Sequence, residues 1–247
     1  VLLQMISRRL LRIKALQTLY AYYKSGREEM GPSEKELHYN IDKAYDLYHY
    51  LLLLMIDVVL YAESRMDLAR NKRIPTQEDL NPNTRFLENR LIDQLRNNDS
   101  LLRFIDQHKL NWANYPELIK DIYNREVESD EYAAYMEAEE NSYADDKKFI
   151  TFIYTSIIYP NELLASILEE KSIYWNDDIE FITSMIVKTF RKFKEADGPG
   201  KNLMGLYKNS EDKDYVVKLF RQTIFHRDEY VEYIKSNTRN WDLERIA

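Results

Sequence analysis

Near its start the chain reads SRRLLRIKALQTLYAYY (residues 7–23), in which a cluster of arginines leads directly into an apolar stretch. At about 100° per residue on a helix, Arg8, Arg9 and Arg12 fall within an arc of roughly 100°. Three apolar or aromatic residues follow in the same arc one or two turns later: Leu16, Leu19 and Tyr23. The stretch predicts a helix that buries this face in its later turns, while its first turn carries the arginines beyond the end of the core.

The charge of this stretch contrasts with that of the rest of the chain. Residues 1–27 contain six basic side chains and no acid, although the 247 residues together have a formal net charge of −7. The remainder therefore carries −13, from 29 basic and 42 acidic residues. Positive charge opposes the macrodipole at a helix N-terminus, where carboxylates are favoured by about 0.3–1 kcal/mol each.

An anionic ligand would explain this arrangement. Free N–H groups following Ser7, a predicted N-cap, and the guanidinium groups of the arginines both bind phosphate. The pattern therefore predicts a polyanion site at the start of the helix. A solvated basic end of a core helix is the alternative interpretation of the same residues.

Composition predicts an all-α helical bundle. There are only five glycines and six prolines, and Leu, Ile, Glu, Lys, Arg and Tyr recur at helical spacing. The chain has no cysteine, which excludes disulfides and thiol catalysis and is compatible with a cytoplasmic setting. The longest apolar run, residues 50–62, is interrupted by Asp57 and is shorter than the ~20 residues that span a bilayer. We expect a buried helix there and no membrane association.

Turn and capping residues divide the chain into predicted helices. The first is expected to end near Gly26, and Gly31-Pro32 predicts a break before a capping-box spacing at Ser33–Glu36. A long helix is then expected to reach about Asn71 with its core stripe at Leu37, Ile41, Ala44, Leu47, Tyr48, Leu51 and Met55. The later predicted helices cover 86–95, 147–157, 161–172, 177–194 and 211–236, and a further one has Pro116 at its first position. Asn176 or Asp177 is expected to open the helix 177–194, and the helix 211–236 is expected to have a kink near His226. A last helix is expected to begin near Asn240.

Two further segments are defined by composition. Residues 126–146 are rich in acids, and a solvated helical face is the expected interpretation of such a run. Residues 196–201, with the sequence ADGPGK, are the clearest predicted linker.

No motif in the sequence predicts catalytic chemistry. The loop 198–202 lacks the first glycine of a P-loop, where Glu195 stands, and has Asn202 where Ser or Thr would bind magnesium. Asp46 and His49 share a helix face, but a metal site in a bundle needs further ligands from other helices. We therefore expect no enzymatic activity, no cofactor and no metal.

Tyrosine is abundant, with 20 residues. Tyr20, Tyr22 and Tyr23 stand beside the arginines, where aromatic faces and guanidinium groups together are typical of single-stranded RNA binding. Most tyrosines of a helical protein are instead core residues with a solvated hydroxyl, and this interpretation is expected for nearly all the others.

Residues 7–20, SRRLLRIKALQTLY, resemble the opening of the NusB transcription antitermination family, in which an arginine-rich start runs into an Ala-x-Gln-x-Leu-Tyr helix. Here Ala15, Gln17, Leu19 and Tyr20 match that helix. Residues 240–247, NWDLERIA, resemble the family's junction into the second half of its domain, and residues 214–236 resemble the long helix before it. Together these matches cover about a quarter of the chain.

The resemblance implies an all-helical RNA-binding protein that pairs with the ribosomal protein NusE. The pair binds boxA-like single-stranded RNA and joins the RNA polymerase antitermination complex on ribosomal RNA operons. By position, Arg8, Arg9 and Arg12 match the family's RNA-contacting basic start, and Tyr20 matches a tyrosine near the RNA and partner surface. With Lys14 of the same basic segment, these form the predicted RNA-binding set.

The chain also departs from the short form of the family. Residues 33–199 have no counterpart there and resemble the extra helical region of longer members, and three family helices would be expected after Ala247. The expected domains are therefore 1–32, a helical insertion at 33–199, and an incomplete NusB-like segment at 200–247. The alternative function is a helical scaffold that binds protein, through residues 126–146 or the long tyrosine-rich helix, without binding RNA directly.

Overall fold

A computed structural model describes residues 8–26, 29–175, 177–207 and 209–237, and these residues are predominantly helical. The predicted all-α class is confirmed. The helices are α1 (Arg8–Lys24), α2 (Met30–Arg70), α3 (Gln77–Leu80), α4 (Arg90–Arg96), α5 (Asp99–His108), α6 (Pro116–Val127), α7 (Asp130–Glu137), α8 (Tyr143–Phe152), α9 (Glu162–Lys171), α10 (Ile179–Lys192), α11 (Ser210–Phe225) and α12 (Arg227–Asn237). A π-helical segment, Ile153–Ile158, directly continues α8.

The chain divides into two compact units. Unit 1 comprises Val1–Asp42 and Met204–Ala247, and unit 2 comprises Lys43–Leu203. The limits predicted from the sequence were 32/33 and 199/200. The first observed limit falls inside α2, because this helix continues without interruption through the predicted boundary. The second falls a few residues beyond the predicted linker, in the non-helical stretch between α10 and α11.

Helix α1 matches the first predicted helix. It ends where Gly26 adopts a positive φ of 62°, a conformation that glycine takes without steric cost. The Ser25 hydroxyl donates to the Tyr22 carbonyl at 3.0 Å and satisfies one acceptor in the last turn. The predicted N-cap, Ser7, lies outside the described residues.

The start of α2 corrects the sequence prediction. Gly31 and Pro32 do not break the chain before the helix but lie within its first turn, where proline is tolerated because the N–H groups there lack helical partners. Ser33 is a buried helical residue, so the predicted capping box is wrong. The predicted core stripe is confirmed, with all of its members fully buried: Leu37, Ile41, Ala44, Leu47, Tyr48, Leu51 and Met55.

Helix α2 is also the one described helix long and apolar enough to span a membrane by length and composition. Of its most apolar window of 18 residues, 72% is buried inside the protein, as in the core helix of a globular domain.

Trp112 packs on α2. Its ring stacks on the Tyr50 ring with the centroids 3.7 Å apart, and its indole N–H donates to the Tyr50 carbonyl at 2.9 Å.

Several helices of unit 2 begin at side-chain caps. Asn89, Asn98 and Asn161 accept from backbone N–H groups at the starts of α4, α5 and α9. Pro116 occupies the first position of α6, as predicted. The predicted helix 86–95 is shorter than expected, because the Asn89 cap starts α4 at Arg90.

The remaining helices also differ from prediction at their ends. Helix α8 begins at Tyr143, where Ser142 and Asp145 form a capping box, rather than at residue 147. Helix α10 begins at Ile179, with Asp178 at the N-cap position, and the predicted cap Asn176 lies outside the described residues. The predicted kink near His226 is confirmed as a break between α11 and α12. The helix expected from Asn240 lies outside the described residues.

Two residues correct the prediction that 126–146 is a solvated acidic face. Glu126 and Asp146 are fully buried in unit 2. Asp146 accepts from the Arg90 side chain at 2.6 Å, from the Tyr135 hydroxyl at 2.7 Å and from the Asn141 amide at 2.8 Å. Burial of a carboxylate is tolerated when it is paired and hydrogen-bonded in this way.

Candidate nucleic-acid interface

Packing against α11 decides which face of α1 is exposed. The two helices lie together in unit 1, and the Tyr22 and Phe220 rings meet edge to face at 6.3 Å between centroids. The Asn40 amide of α2 donates to Gln17 at 3.3 Å. The buried side of α1 consists of Leu10, Leu11, Lys14, Ala15, Thr18, Leu19 and Tyr22.

The opposite side of α1 is exposed and combines cations with apolar and aromatic groups. At 100° per residue its members occupy an arc of about 120°. They are Arg9, Arg12, Ile13, Leu16, Tyr20, Tyr23 and Lys24, which we call the α1 face. From Arg9 to Tyr20 it extends about 16 Å along the helix. The predicted burial of Leu16 and Tyr23 is wrong, since Leu16 is 67% exposed and Tyr23 is 40% exposed.

Arg8 lies at the edge of this face and is held by α11. Its Nε lies 3.2 Å from Asp212, and its guanidinium lies 4.9 Å from the centre of the Tyr215 ring. Asp212 is in turn fixed by its backbone N–H, which donates to Asn209 at 3.1 Å. The Arg8 side chain remains 59% exposed. It therefore ties α1 to α11 and still presents part of its charge to solvent.

Arg9 and Arg12 are the cations best placed for an anionic ligand. Both are exposed, and neither forms an ion pair within the part of the chain that the structure describes. Their spacing of three residues places them about one turn apart on the same side of the helix. Together they supply two guanidinium groups, whose paired N–H donors match phosphate oxygens.

Lys14 corrects the predicted RNA-binding set. Its side chain is fully buried on the side of α1 that packs within unit 1. A ligand on the α1 face therefore cannot reach its ammonium group. The sequence prediction included Lys14 because it belongs to the basic segment, but whether a side chain is buried depends on its angular position around the helix. Lys14 lies on the same side as Leu10 and Leu11, which is the buried side.

Tyr20 is the more exposed of the two tyrosines on this face. It is 62% exposed, and the Lys24 ammonium lies 5.6 Å from the centre of its ring. Tyr22, considered with it for base stacking, is instead a buried contact of α11. Tyr20 thus offers an accessible aromatic surface next to positive charge.

Two cations of this region were missed by the sequence analysis. Lys24 follows Tyr20 by four residues, a spacing that places it on the same helix face and could have identified it. The Arg227 guanidinium lies 5.2 Å from the centre of the Tyr23 ring. Burial raises the pKa of the Tyr23 hydroxyl, while Arg227 partly opposes this effect. No local signal joins Arg227 to α1, because the contact depends on how α12 follows α11.

Asp46 and His49, the pair considered from the sequence as metal ligands, lie in unit 2. His108 Nδ1 is 2.8 Å from Asp46, which also binds Lys43 at 2.6 Å, and His49 stacks on Phe104 at 3.7 Å. Among the described residues, no group of three or more His, Cys, Asp or Glu side chains is arranged to hold a metal ion.

Comparison of the chain with models of known protein families, with curated proteins and with solved structures finds no match in any of the three.

Proposed function

We propose that the chain is a non-catalytic, cytoplasmic RNA-binding protein of NusB type, which holds boxA-like single-stranded RNA on the α1 face. In this proposal it acts with NusE in the RNA polymerase antitermination complex, without membrane, metal or cofactor. One observation carries the RNA site: Arg9 and Arg12 are exposed without a carboxylate partner among the described residues, on the same helix face as Tyr20. The resemblance of residues 7–20 to the NusB opening gives the proposed class of RNA.

The proposal assigns a separate role to each side chain. Arg9 and Arg12 bind backbone phosphates, and Tyr20 stacks on a base, which contributes about 1–3 kcal/mol in comparable single-strand sites. Arg8 positions the first turn through Asp212 and contributes less to phosphate binding. Lys14 contributes to the packing of unit 1 and not to RNA.

Titration of the chain with a fluorescent boxA oligonucleotide at several salt concentrations tests these roles. Each phosphate contact to a single strand adds about 0.7 to the slope of log affinity against log salt. Arg9→Ala with Arg12→Ala should therefore lower the slope by about 1.4 without loss of helicity. The matched control is Lys188→Ala with Arg191→Ala, which removes two exposed cations from α10. Equal slopes for the wild type and the α1 variant would refute the RNA site.

The aromatic contact has its own test. Tyr20→Ala should weaken binding by about 1–3 kcal/mol, whereas Tyr20→Phe keeps the ring and should bind nearly as well as the wild type. Lys14→Met should leave the affinity for RNA unchanged if the variant folds. An equal loss for both Tyr20 variants would assign the contact to the hydroxyl rather than to stacking.

A protein-binding scaffold is the second candidate, and the exposed apolar groups of the α1 face favour it. Ile13 is 37% exposed and Leu16 is 67% exposed, both beyond what phosphate binding requires. Titration with NusE and with boxA RNA separates the two functions. NusE binding that is lost in Leu16→Asp and kept in the Arg9/Arg12 variant, with no affinity for RNA in the wild type, would support the scaffold.

A further inference from the structure

Helices α7 and α8 of unit 2 form a groove that the proposed function does not use. One face of each helix lines it, together with Arg85 and residues of the segment that joins the two helices. The volume is about 190 Å³. An apolar cavity of about 150 Å³ is large enough to hold benzene, so this groove has room for one aliphatic or aromatic side chain.

The floor of the groove is aromatic. The rings of Tyr135 and Phe149 stack at 4.3 Å between centroids, with their planes 7° apart. Ala134 on α7 and Ala138 at its C-cap position contribute only methyl groups to the lining, and Phe152 at the end of α8 adds to the apolar part of it. These groups offer contacts to an apolar side chain and few hydrogen bonds to a polar one.

A buried polar network holds this floor in place. The Tyr135 hydroxyl donates to Asp146 at 2.7 Å, and Asp146 also accepts from Arg90 at 2.6 Å. Arg85 donates to the Tyr135 carbonyl at 2.6 Å. The rings are therefore fixed before any ligand arrives, which lowers the entropy cost of binding.

The surroundings of the groove are strongly acidic. Residues 128–145 contain seven carboxylates and no basic side chain. All seven carboxylates are exposed: Glu128, Asp130, Glu131, Glu137, Glu139, Glu140 and Asp145. Three of them, Glu131, Glu140 and Asp145, line the groove itself, where Arg85 and Lys148 are the only cations. A nucleic acid would be repelled here, whereas a cationic chain would be attracted.

We propose that the groove between α7 and α8 binds a lysine- and arginine-rich protein segment and accepts one apolar side chain of that segment. The stacked rings of Tyr135 and Phe149 contact the apolar side chain. The surrounding carboxylates attract the flanking basic residues and increase the association rate. This site is independent of the α1 face, so that each can fail without affecting the other.

Fluorescence anisotropy with fluorescein-labelled KRKFKRK and KRKGKRK peptides at 50 mM salt tests the proposal. Burial of one large apolar side chain contributes about 1.5–3 kcal/mol, so the phenylalanine peptide should bind at least about tenfold more tightly than the glycine peptide. Ala138→Trp, which fills the groove, should remove this preference and leave binding of the glycine peptide unchanged. No binding of either peptide, or equal binding of both, would overturn the proposal.

Charge variants separate the groove from general attraction to an acidic protein. Glu131→Lys with Glu140→Lys should weaken binding of both peptides at least about tenfold, because it replaces two carboxylates of the groove lining with cations. A tenfold change in affinity corresponds to about 1.4 kcal/mol. The matched control, Glu169→Lys with Glu170→Lys, makes the same charge change on the last turn of α9 and should alter affinity less than twofold. Equal effects of the two pairs would overturn the site.

Discussion

Unit 2 should lose stability in mild acid because of one buried histidine. His49 is 2% exposed and lies between aromatic rings, with Phe104 stacked at 3.7 Å and Tyr45 edge-on at 4.4 Å. Burial lowers the pKa of His49 from 6.5 to about 4, although its hydrogen bond to the Tyr45 carbonyl and the nearby Asp46 act in the opposite direction. The folded protein therefore resists protonation of this imidazole.

The sign and size of the effect follow from this pKa. The unfolded chain takes up a proton on His49 near pH 6.5, whereas the folded protein does so only near pH 4. The unfolded state thus binds more protons between these values, and the free energy of unfolding falls as pH falls through this window. The total loss contributed by this residue is about 3 kcal/mol, and nearly all of it is reached by pH 4.

His49→Phe tests this reasoning because it keeps an aromatic ring and removes the titration. Urea unfolding followed by circular dichroism from pH 4 to pH 7.5 gives the free energy of unfolding of the wild type and the variant. The wild type should lose about 1.4 kcal/mol per pH unit, relative to the variant, between roughly pH 4.5 and 6. Tyr45→Phe keeps the imidazole and should follow the wild-type profile. Parallel profiles for the wild type and His49→Phe would refute the argument.

Three further predictions concern the core of unit 2. Burial raises the pKa of Glu126 well above its ordinary value, and neither carboxylate oxygen has a hydrogen-bond partner among the described residues, so stability should fall as pH rises above about 4.5. Glu126→Gln should then raise the melting temperature more at pH 8 than at pH 5, and an equal change at both would contradict this. Asp146→Ala should destabilise by about 1–3 kcal/mol in urea unfolding, since it leaves the buried Tyr135 hydroxyl without its acceptor while Arg90 keeps its ion pair with Glu195, and a loss below 1 kcal/mol would count against the network. Trp112→Ala should cost about 3–5 kcal/mol, whereas Trp112→Phe should cost less because it keeps a ring on Tyr50; equal losses would be inconsistent with the stacking.

The course of the core helices could be predicted from the sequence because it depends on local periodicity. The stripe from Leu37 to Met55 recurs every three or four residues, and all of it is buried in α2. The start of that helix could not be placed as well. Pro32 is unfavourable inside a helix but tolerated in its first turn, so the same residue is compatible with a break and with a helix beginning at Met30.

The buried side of α1 could not be predicted, for a different reason. The helix has two apolar stripes, one through Leu11 and Ala15 and the other through Ile13 and Leu16. Periodicity identifies both but does not indicate which one meets a partner. That choice is made by α11, about 200 residues away along the chain, and it is this choice that buries Lys14 and exposes Leu16.

The acidic region shows the same dependence on distant residues. A run of carboxylates predicts a solvated face, and the exposed members such as Glu137 and Glu139 agree with it. Asp146 belongs to the same run but is buried, because the backbone N–H and side chain of Arg90, 56 residues earlier, both donate to it. Its other hydrogen-bond partners, Tyr135 and Asn141, belong to the run, but its charged partner is supplied by another helix, so the run alone does not distinguish this residue.

The net charge of −7 describes neither of the two candidate surfaces. The α1 face carries Arg9, Arg12 and Lys24, and the structure shows no carboxylate among its members. Three exposed carboxylates line the groove of unit 2, and the segment 128–145 that contributes to it contains seven. We expect each surface to select its ligand by its own charge. Added salt should therefore weaken RNA binding at α1 and peptide binding in the groove alike, whereas each pair of charge variants should affect only the ligand of its own surface.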